Sequence, residues 1–293
     1  MAHRGIVVGF DGSESSTNAL QWAAHEAVLR NVTLTVVHVI DTPPWNLLAV
    51  GGPVAPVPDE PGLRHRQGAQ KVIDQAMAVI EACTAADARP HVESQVFFAA
   101  PVPTLVQLSK DAQMLVVGRH GRGRLRRLLL GSVSTGLLYH AHCPVAVIHD
   151  DAPLPDPQLP VLVGVDGSLV SEQATELAFD EASRRGVELI AFHAWSDAEV
   201  LDYIEFDWPA IQPDAEETLA ERLAGWPERY PDVRVRRVVE PHQPTANLLK
   251  LAESAQLVVL GSHGRGGFAG MVLGSVSATV ARASRTPVIV TRK

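Results

Sequence analysis

Ile6-Val-Val-Gly-Phe-Asp11-Gly-Ser13, near the start of the chain, returns 155 positions later as Val161-Leu-Val-Gly-Val-Asp166-Gly-Ser168. Each copy is an apolar run without polar alternation, followed by Asp-Gly-Ser. That pattern reads as a strand covered on both faces, turning sharply into a helix. The register holds through Glu26/Glu181, Ala27/Ala182, Arg30/Arg185 and His38/His193. Farther on, Gly118-Arg-His-Gly121 recurs as Gly261-Ser-His-Gly264, Gly131-Ser-Val-Ser134 as Gly274-Ser-Val-Ser277, and Pro144 as Pro287, now at an offset of 143. The change from 155 to 143 places a net deletion of twelve residues between His193 and Gly261. The first half keeps its surplus in Pro43 to Gly62, whose Pro and Gly content reads as a long surface loop. Two units of this size indicate a duplication, since solenoid units are only ~20–50 residues long. The polar, Pro-stiffened stretch from Asp150 to Gln158 reads as a linker. The expected division is therefore a first domain at 1–149, a linker at 150–159 and a second domain at 160–293.

Within the first half, strands are expected at Gly5–Phe10, Val32–Ile40, His91–Phe98, Gln113–Gly118 and Pro144–His149. Helical spacing covers Glu14–Arg30, Leu63–Asp87, Thr104–Asp111 and Ser132–His142, the last with Val133, Gly136, Leu137 and Tyr139 on one face. The second half has strands near Val161–Val165, Val187–Ala194, Val233–Val239, Gln256–Gly261 and Pro287–Thr291. Strands alternating with helices give right-handed βαβ crossovers, hence an α/β fold of two tandem doubly wound parallel-sheet domains.

The chain has 293 residues, 46% hydrophobic and 20% charged, with 25 Lys+Arg against 33 Asp+Glu and a formal charge of −8. A protein that neutralises many nucleic-acid phosphates carries the opposite excess, so no nucleic-acid partner is expected. No apolar run approaches the ~18 residues of a membrane span, and the residues before Gly5 are too few for a signal-peptide core. Cys83 and Cys143 stand far apart, which argues against a disulfide scaffold or a structural zinc site. The expectation is a cytoplasmic protein.

In doubly wound sheets ligands bind beyond the carboxyl ends of the strands. There the fourth strand runs into Gly118-Arg-His-Gly121-Arg-Gly123, followed by Gly131-Ser132 at a helix start, a G-x2-G-x9-G-S pattern repeated at Gly261, Gly264, Gly274 and Ser275. Missing side chains let backbone amides approach an anion and allow positive φ. A helix N-terminus adds amide donors and the positive end of its dipole, and Ser132 adds a hydroxyl. A triphosphate accounts for all three features; glycines serving only tight turns are the plainer alternative. Asp11 and Asp166 can accept hydrogen bonds from ribose hydroxyls, or cap the next helix, a task that Ser13 or Ser15 could fill instead.

These motifs resemble the universal stress protein family in its tandem-domain form, over almost the whole chain. The resemblance implies a five-stranded parallel sheet in each domain, Rossmann-like and close to the adenine nucleotide alpha hydrolases, with one ATP site per domain. Carried over by position, Gly9 and Asp11 lie at the ribose and Val39 at the adenine. Gly118, Arg119, His120, Gly121, Arg122, Gly123, Arg124, Gly131, Ser132 and Val133 then belong to the phosphate loop. In the second domain the matching places fall to Gly164, Asp166, Ala194, Gly261, Ser262, His263, Gly264, Arg265, Gly266, Gly267, Gly274, Ser275, Val276 and Ser277. Mg²⁺ is the cation that could accompany the nucleotide. The family dimerises through its last strand, which implies a homo-oligomer or, within one chain, pairing of Val145–Ile148 with Val288–Val290.

The halves also differ in charge: Arg119, Arg122, Arg124, Arg126 and Arg127 crowd the first loop, whereas the second has Arg265. One or two of them are expected to clamp phosphate. His120 and His263 lack a partnered nucleophile in the sequence, and His38 and His193 read as packed structural residues. There is no G-x4-G-K-[ST] lysine loop and no catalytic or metal-ligating set. The leading expectation is a nucleotide-dependent regulator, with stress tolerance, growth control or hypoxia adaptation implied by the resemblance, acting on a partner protein that the sequence does not name. The alternatives are a slow ATPase or adenylating enzyme on the same fold, or a partner-binding protein with empty sites.

Overall fold

Ile6 and Val8 face one side of the sheet and Val7 the other, and all three are fully buried. The unalternating apolar runs therefore serve two cores at once. A computed structural model describes residues 4–41, 60–121, 130–149, 156–196, 207–264 and 272–292. The first lobe runs β1 (Ile6–Gly9), α1 (Glu14–Arg30), β2 (Leu34–Ile40), α2 (Glu60–Cys83), β3 (Val92–Phe98), α3 (Pro101–Leu108), β4 (Met114–Gly118), α4 (Ser132–His140) and β5 (Val145–Ile148). The second runs β6 (Val161–Gly164), α5 (Leu169–Arg185), β7 (Leu189–Ala194), α6 (Trp208–Arg222), α7 (Trp226–Arg229), β8 (Val235–Glu240), α8 (Pro244–Ala252), β9 (Leu257–Gly261), α9 (Ser275–Ala283) and β10 (Val288–Thr291).

All ten strands join one sheet in the order β3-β2-β1-β4-β5-β10-β9-β6-β7-β8, which reads alike from either edge. Every pairing is parallel except β5 with β10, where Val145, Ala146 and Val147 face Val290, Ile289 and Val288. Each lobe is thus a doubly wound five-stranded parallel sheet, and the two are fused through their last strands. One core contains residues of α1, α2, α5 and α6. The other contains residues of α3, α4, α8 and α9. Each core crosses the β5–β10 seam, so burial at ~1.5–3 kcal/mol per large aliphatic side chain stabilises the lobes jointly.

α1 forms because Ser13, in extended geometry, accepts the Ser16 amide at 3.2 Å, while Asn31 ends the helix in the left-handed region. Ser168 and Gly186 do the same for α5. Some expected boundaries shift. α3 begins at Pro101, because a proline at the first helical position loses no hydrogen bond, and it ends at Leu108, not Asp111. α4 stops at His140, where Ala141 turns extended ahead of Pro144. Its buried residues are Ser134, Leu137 and Leu138, while Tyr139 is 39% exposed and does not share the apolar face. Glu60 to Gly62, expected in a loop, belong to α2, and the rest of that loop lies largely outside the described residues.

Candidate functional site

Strand order reverses between β1 and β4, and again between β6 and β9, so each lobe has one switch-point crevice at its strand carboxyl ends. In the first crevice the chain leaves β1 as Asp11-Gly12-Ser13. Gly12 has φ +79 and Gly167 has φ +83, a region that L side chains rarely adopt. The turn lets Asp11 Oδ1 accept the Ser13 amide at 2.9 Å, and Asp166 Oδ1 accepts the Ser168 amide at the same distance. The helix caps are the serines, so the aspartates have a different task. Asp11 Oδ2 lies 3.0 Å from where a Cβ on Gly121 would stand, and Asp166 Oδ2 is closer still to the same point on Gly264. Carboxylate and glycine loop therefore meet in both mouths.

The loop glycines owe their identity to close approach and not to φ. Among the described glycines, positive φ falls at Gly5, Gly12, Gly167, Gly186 and Gly225, not at Gly118, Gly121, Gly131 or their counterparts. A Cβ on Gly118 would stand 2.6 Å from the Ser15 carbonyl carbon and oxygen, at the first turn of α1. One on Gly261 would stand 3.0 Å from the Val170 carbonyl carbon. Gly9 and Gly164 end their strands against Val117 and Leu260.

Several loop amides are already committed. Arg119 donates to Ile148 O at 2.8 Å, His120 to Ser15 Oγ at 3.1 Å, and Gly131 to Arg119 O at 2.8 Å. In the second lobe Ser262 donates to Thr291 O at 3.0 Å and Gly274 to Ser262 O. Further backbone donors stand at the first turns of α4 and α9, at Ser132–Val133 and Ser275–Val276, where no side chain caps the helix. Ser134 and Ser277 turn inward instead: Ser134 Oγ donates to Arg119 O and Ser277 Oγ to Gly261 O, fastening each helix to its strand. His263 Nδ1 lies 3.1 Å from Ser262 Oγ.

At Val39 the backbone matters more than the side chain. Even-numbered residues of β2 bond toward β3, as Leu34 does to His91 and Ile40 to Ala99, whereas Val37 O accepts from Phe10 on the β1 side. The peptide groups of Val39 accordingly face the side from which β1 has already departed. Ala194 has the same parity as Phe192, whose carbonyl accepts from Val165. His38 and His193 are buried and each lies close to the carbonyl of the strand-end residue, Phe10 at 2.8 Å and Val165 at 2.7 Å, as expected of structural histidines. Trp226 likewise serves packing, stacked on Phe179 with centroids 5.7 Å apart.

Arg222 carries no motif that marks it in the sequence. Its Nη1 lies 3.1 and 3.2 Å from the two ring nitrogens of His193, and its guanidinium covers Gly167. Arg122, Gly123, Arg124, Arg126, Arg127, Arg265, Gly266 and Gly267 lie outside the described residues. Among the described residues no cluster of three His, Cys, Asp or Glu could hold a metal ion, and no helix is long and apolar enough to cross a membrane.

The model of the universal stress protein family matches residues 3–149 and again 159–292. Universal stress protein Rv2005c of Mycobacterium tuberculosis is 53% identical, covering 99% of this chain and 97% of its own. Universal stress protein Rv2623 of the same organism is 54% identical, covering 99% and 96%. A solved universal stress protein from Archaeoglobus fulgidus superposes with a TM-score of 0.69 over 100% of this chain and 99% of its own, and at 24% identity it speaks for the fold alone. With both lobes matched and relatives of equal length, the chain belongs to the universal stress protein family, as a tandem of two of its units.

Proposed function

We propose that each lobe binds an adenine nucleotide, ATP, and that the protein acts as a nucleotide-dependent regulator in a stress response. One observation carries the reading. In both mouths an aspartate carboxylate, a loop with glycine at its closest approaches and a helix N-terminus without a side-chain cap converge on one crevice at a switch point. The ribose hydroxyls would donate to Asp11 or Asp166, and the adenine edge would meet the peptide groups of Val39 or Ala194. The phosphates would take the amides and hydroxyl of Ser132–Val133 or Ser275–Val276, with the helix dipole favouring their charge. Arg119 would supply a cation to the first site. A Mg²⁺ bound there would rest largely on phosphates and water, since the described residues offer no group of three His, Cys, Asp or Glu side chains.

Support for regulation over catalysis is chemical. His263 is placed beside a serine, and no carboxylate orients it in the described mouth. Isothermal titration with ATP, paired with chromatography of nucleotide released on denaturation, tests the reading. About two adenine nucleotides per chain support it, and no binding at millimolar ATP defeats it. Phosphate release at ~1 per second or faster would replace the regulator with an enzyme.

A further inference from the structure

Each mouth carries, at the end of its last strand, a side chain that reaches across the seam and caps the other lobe's phosphate helix. His149 follows β5 in the first mouth, and its Nε2 lies 3.1 Å from the carbonyl of Ala281 near the carboxyl end of α9. Arg292 follows β10 in the second mouth. It donates to Leu138, Tyr139 and Ala141 at the carboxyl end of α4, at 2.5, 2.7 and 3.2 Å. The two residues hold equivalent places in the repeat, as do Leu138 and Ala281. Arg292 Nη1 also reaches Val272 O, at 3.1 Å, two residues before the Gly274 that opens α9.

The other ends of these helices are the proposed phosphate sites. A chain of contacts therefore runs each way. From the second mouth it passes through Val272 and Arg292 to the length of α4. From the first it passes through Arg119, whose carbonyl holds Gly131 N and Ser134 Oγ at the start of α4, to His149 and then α9. We infer that these reciprocal caps couple the two nucleotide sites, so that filling one changes the affinity of the other; the inference rests on the nucleotide reading above.

A chain of contacts transmits only if some element has two arrangements. Arg119 and His149 are that element. A carbonyl only accepts, so His149 Nε2 carries the proton and Nδ1 presents a lone pair. That Nδ1 and Arg119 Nε, a donor, are the two buried side-chain polar atoms without a hydrogen bond among the described residues. Burial first, and the Arg119 guanidinium second, push the His149 pKa down to about 4, so the ring is neutral near pH 7. A neutral acceptor and a cationic donor within electrostatic reach of each other, both unsatisfied, are relieved by a shift of Arg119. A phosphate at α4 would bias that shift.

The test is a cycle of ATP titrations on the full chain. Kd of the first site is measured in Asp166→Ala and of the second in Asp11→Ala, and their product is divided by the product of the two wild-type constants. The quotient should differ from one by about fivefold or more. It should return to within about twofold of one in His149→Gln, which keeps a donor for Ala281 but has no atom in the place of Nδ1. Arg292→Lys, which keeps the charge but not the fork, should do the same. Two ATP bound in wild type with a quotient of one overturns the coupling alone. A quotient that survives both substitutions overturns the assignment to these caps. No ATP bound at either site overturns the nucleotide reading, and the coupling with it.

Discussion

Glu26 and Glu181, one from each lobe, share the same two guanidiniums. Arg30 Nε meets Glu26 at 2.5 Å and its Nη2 bonds Glu181, while Arg185 Nη2 meets Glu181 at 2.9 Å and also bonds Glu26. Asp180 adds a contact of 3.3 Å to Arg30. Both glutamates are buried, and α1 meets α5 there, so charge ties the lobes on the face opposite α4 and α9.

This quartet makes stability depend on pH in a stated direction. Burial, then the facing Glu181 carboxylate, push Glu26 up to about 7 against the pull of the two arginines. Burial acts on Glu181 too, but Arg185 and Arg30 outweigh it and hold that carboxyl below its usual range. Between pH 4.5 and about 7 the folded chain keeps a proton on Glu26 that the unfolded chain has released. Stability from this group is complete below that window and is lost as pH rises through it, by on the order of 1–3 kcal/mol. The Glu181 contribution runs oppositely, present above 4.5 and lost only as pH falls through its lower folded value. Urea midpoints from pH 5 to 8 should therefore fall more steeply for wild type than for Glu26→Gln. Parallel profiles would remove the quartet as the cause.

Gly118→Ala should act first on stability. The added methyl would meet the main chain of Ser15, which has no flexible end to swing away. Overpacking of this kind costs ~1–3 kcal/mol. Gly261→Ala meets Val170 and Ser171 at 3.0–3.1 Å and should cost less. Denaturant midpoints of the two variants measure the difference, and a Gly118→Ala chain as stable as wild type would contradict the close approach.

That pair shows where the sequence was legible and where it stopped. Strands buried on both faces announce themselves by apolar runs, and the repeat fixed the lobes and their common order. A glycine in a sequence reports only that a side chain is missing. Whether φ or a neighbour demands it depends on where α1 stands, and here φ matters at Gly12 whereas contact matters at Gly118. Helical spacing marks the third helix only from Thr104, because nothing in the sequence shows that Pro101 holds the first helical position. Arg222, His149 and Arg292 went unnoticed because their partners lie 29, 132 and up to 154 positions away. Glu26, Arg30, Glu181 and Arg185 served only as markers of register, though each pair sits four apart on one helix face.

Gly264→Ala should separate affinity from stability in the opposite way to Gly118→Ala. Its Cβ would collide with Asp166 Oδ2, the movable end of a side chain, so the fold can yield cheaply. The carboxylate would rotate away from the ribose position. Loss of one charged hydrogen bond at ~1.5–3 kcal/mol weakens ATP at the second site roughly 10- to 150-fold. Gly121→Ala, with 3.0 Å to Asp11 Oδ2, should show a smaller loss at the first site. Titrations beside thermal melts decide it: unchanged affinity in Gly264→Ala would detach Asp166 from the ligand.

The two mouths differ at Arg222. His38 and His193 are placed alike, but among the described residues only His193 has a guanidinium against its ring. The carbonyl of Val165 takes the Nδ1 proton, and Arg222 Nη1, 3.1 and 3.2 Å from the two ring nitrogens, packs against the imidazole. This fixes the guanidinium over Gly167, beside the Asp166 turn, where a ribose or its α-phosphate would lie. Arg222→Ala should therefore weaken ATP at the second site by about tenfold, the value of one charged hydrogen bond, and leave the first site unchanged. Arg222→Lys keeps the charge but not the planar fork and should fall between the two. Equal losses at both sites, or none at either, would show that Arg222 only packs against His193.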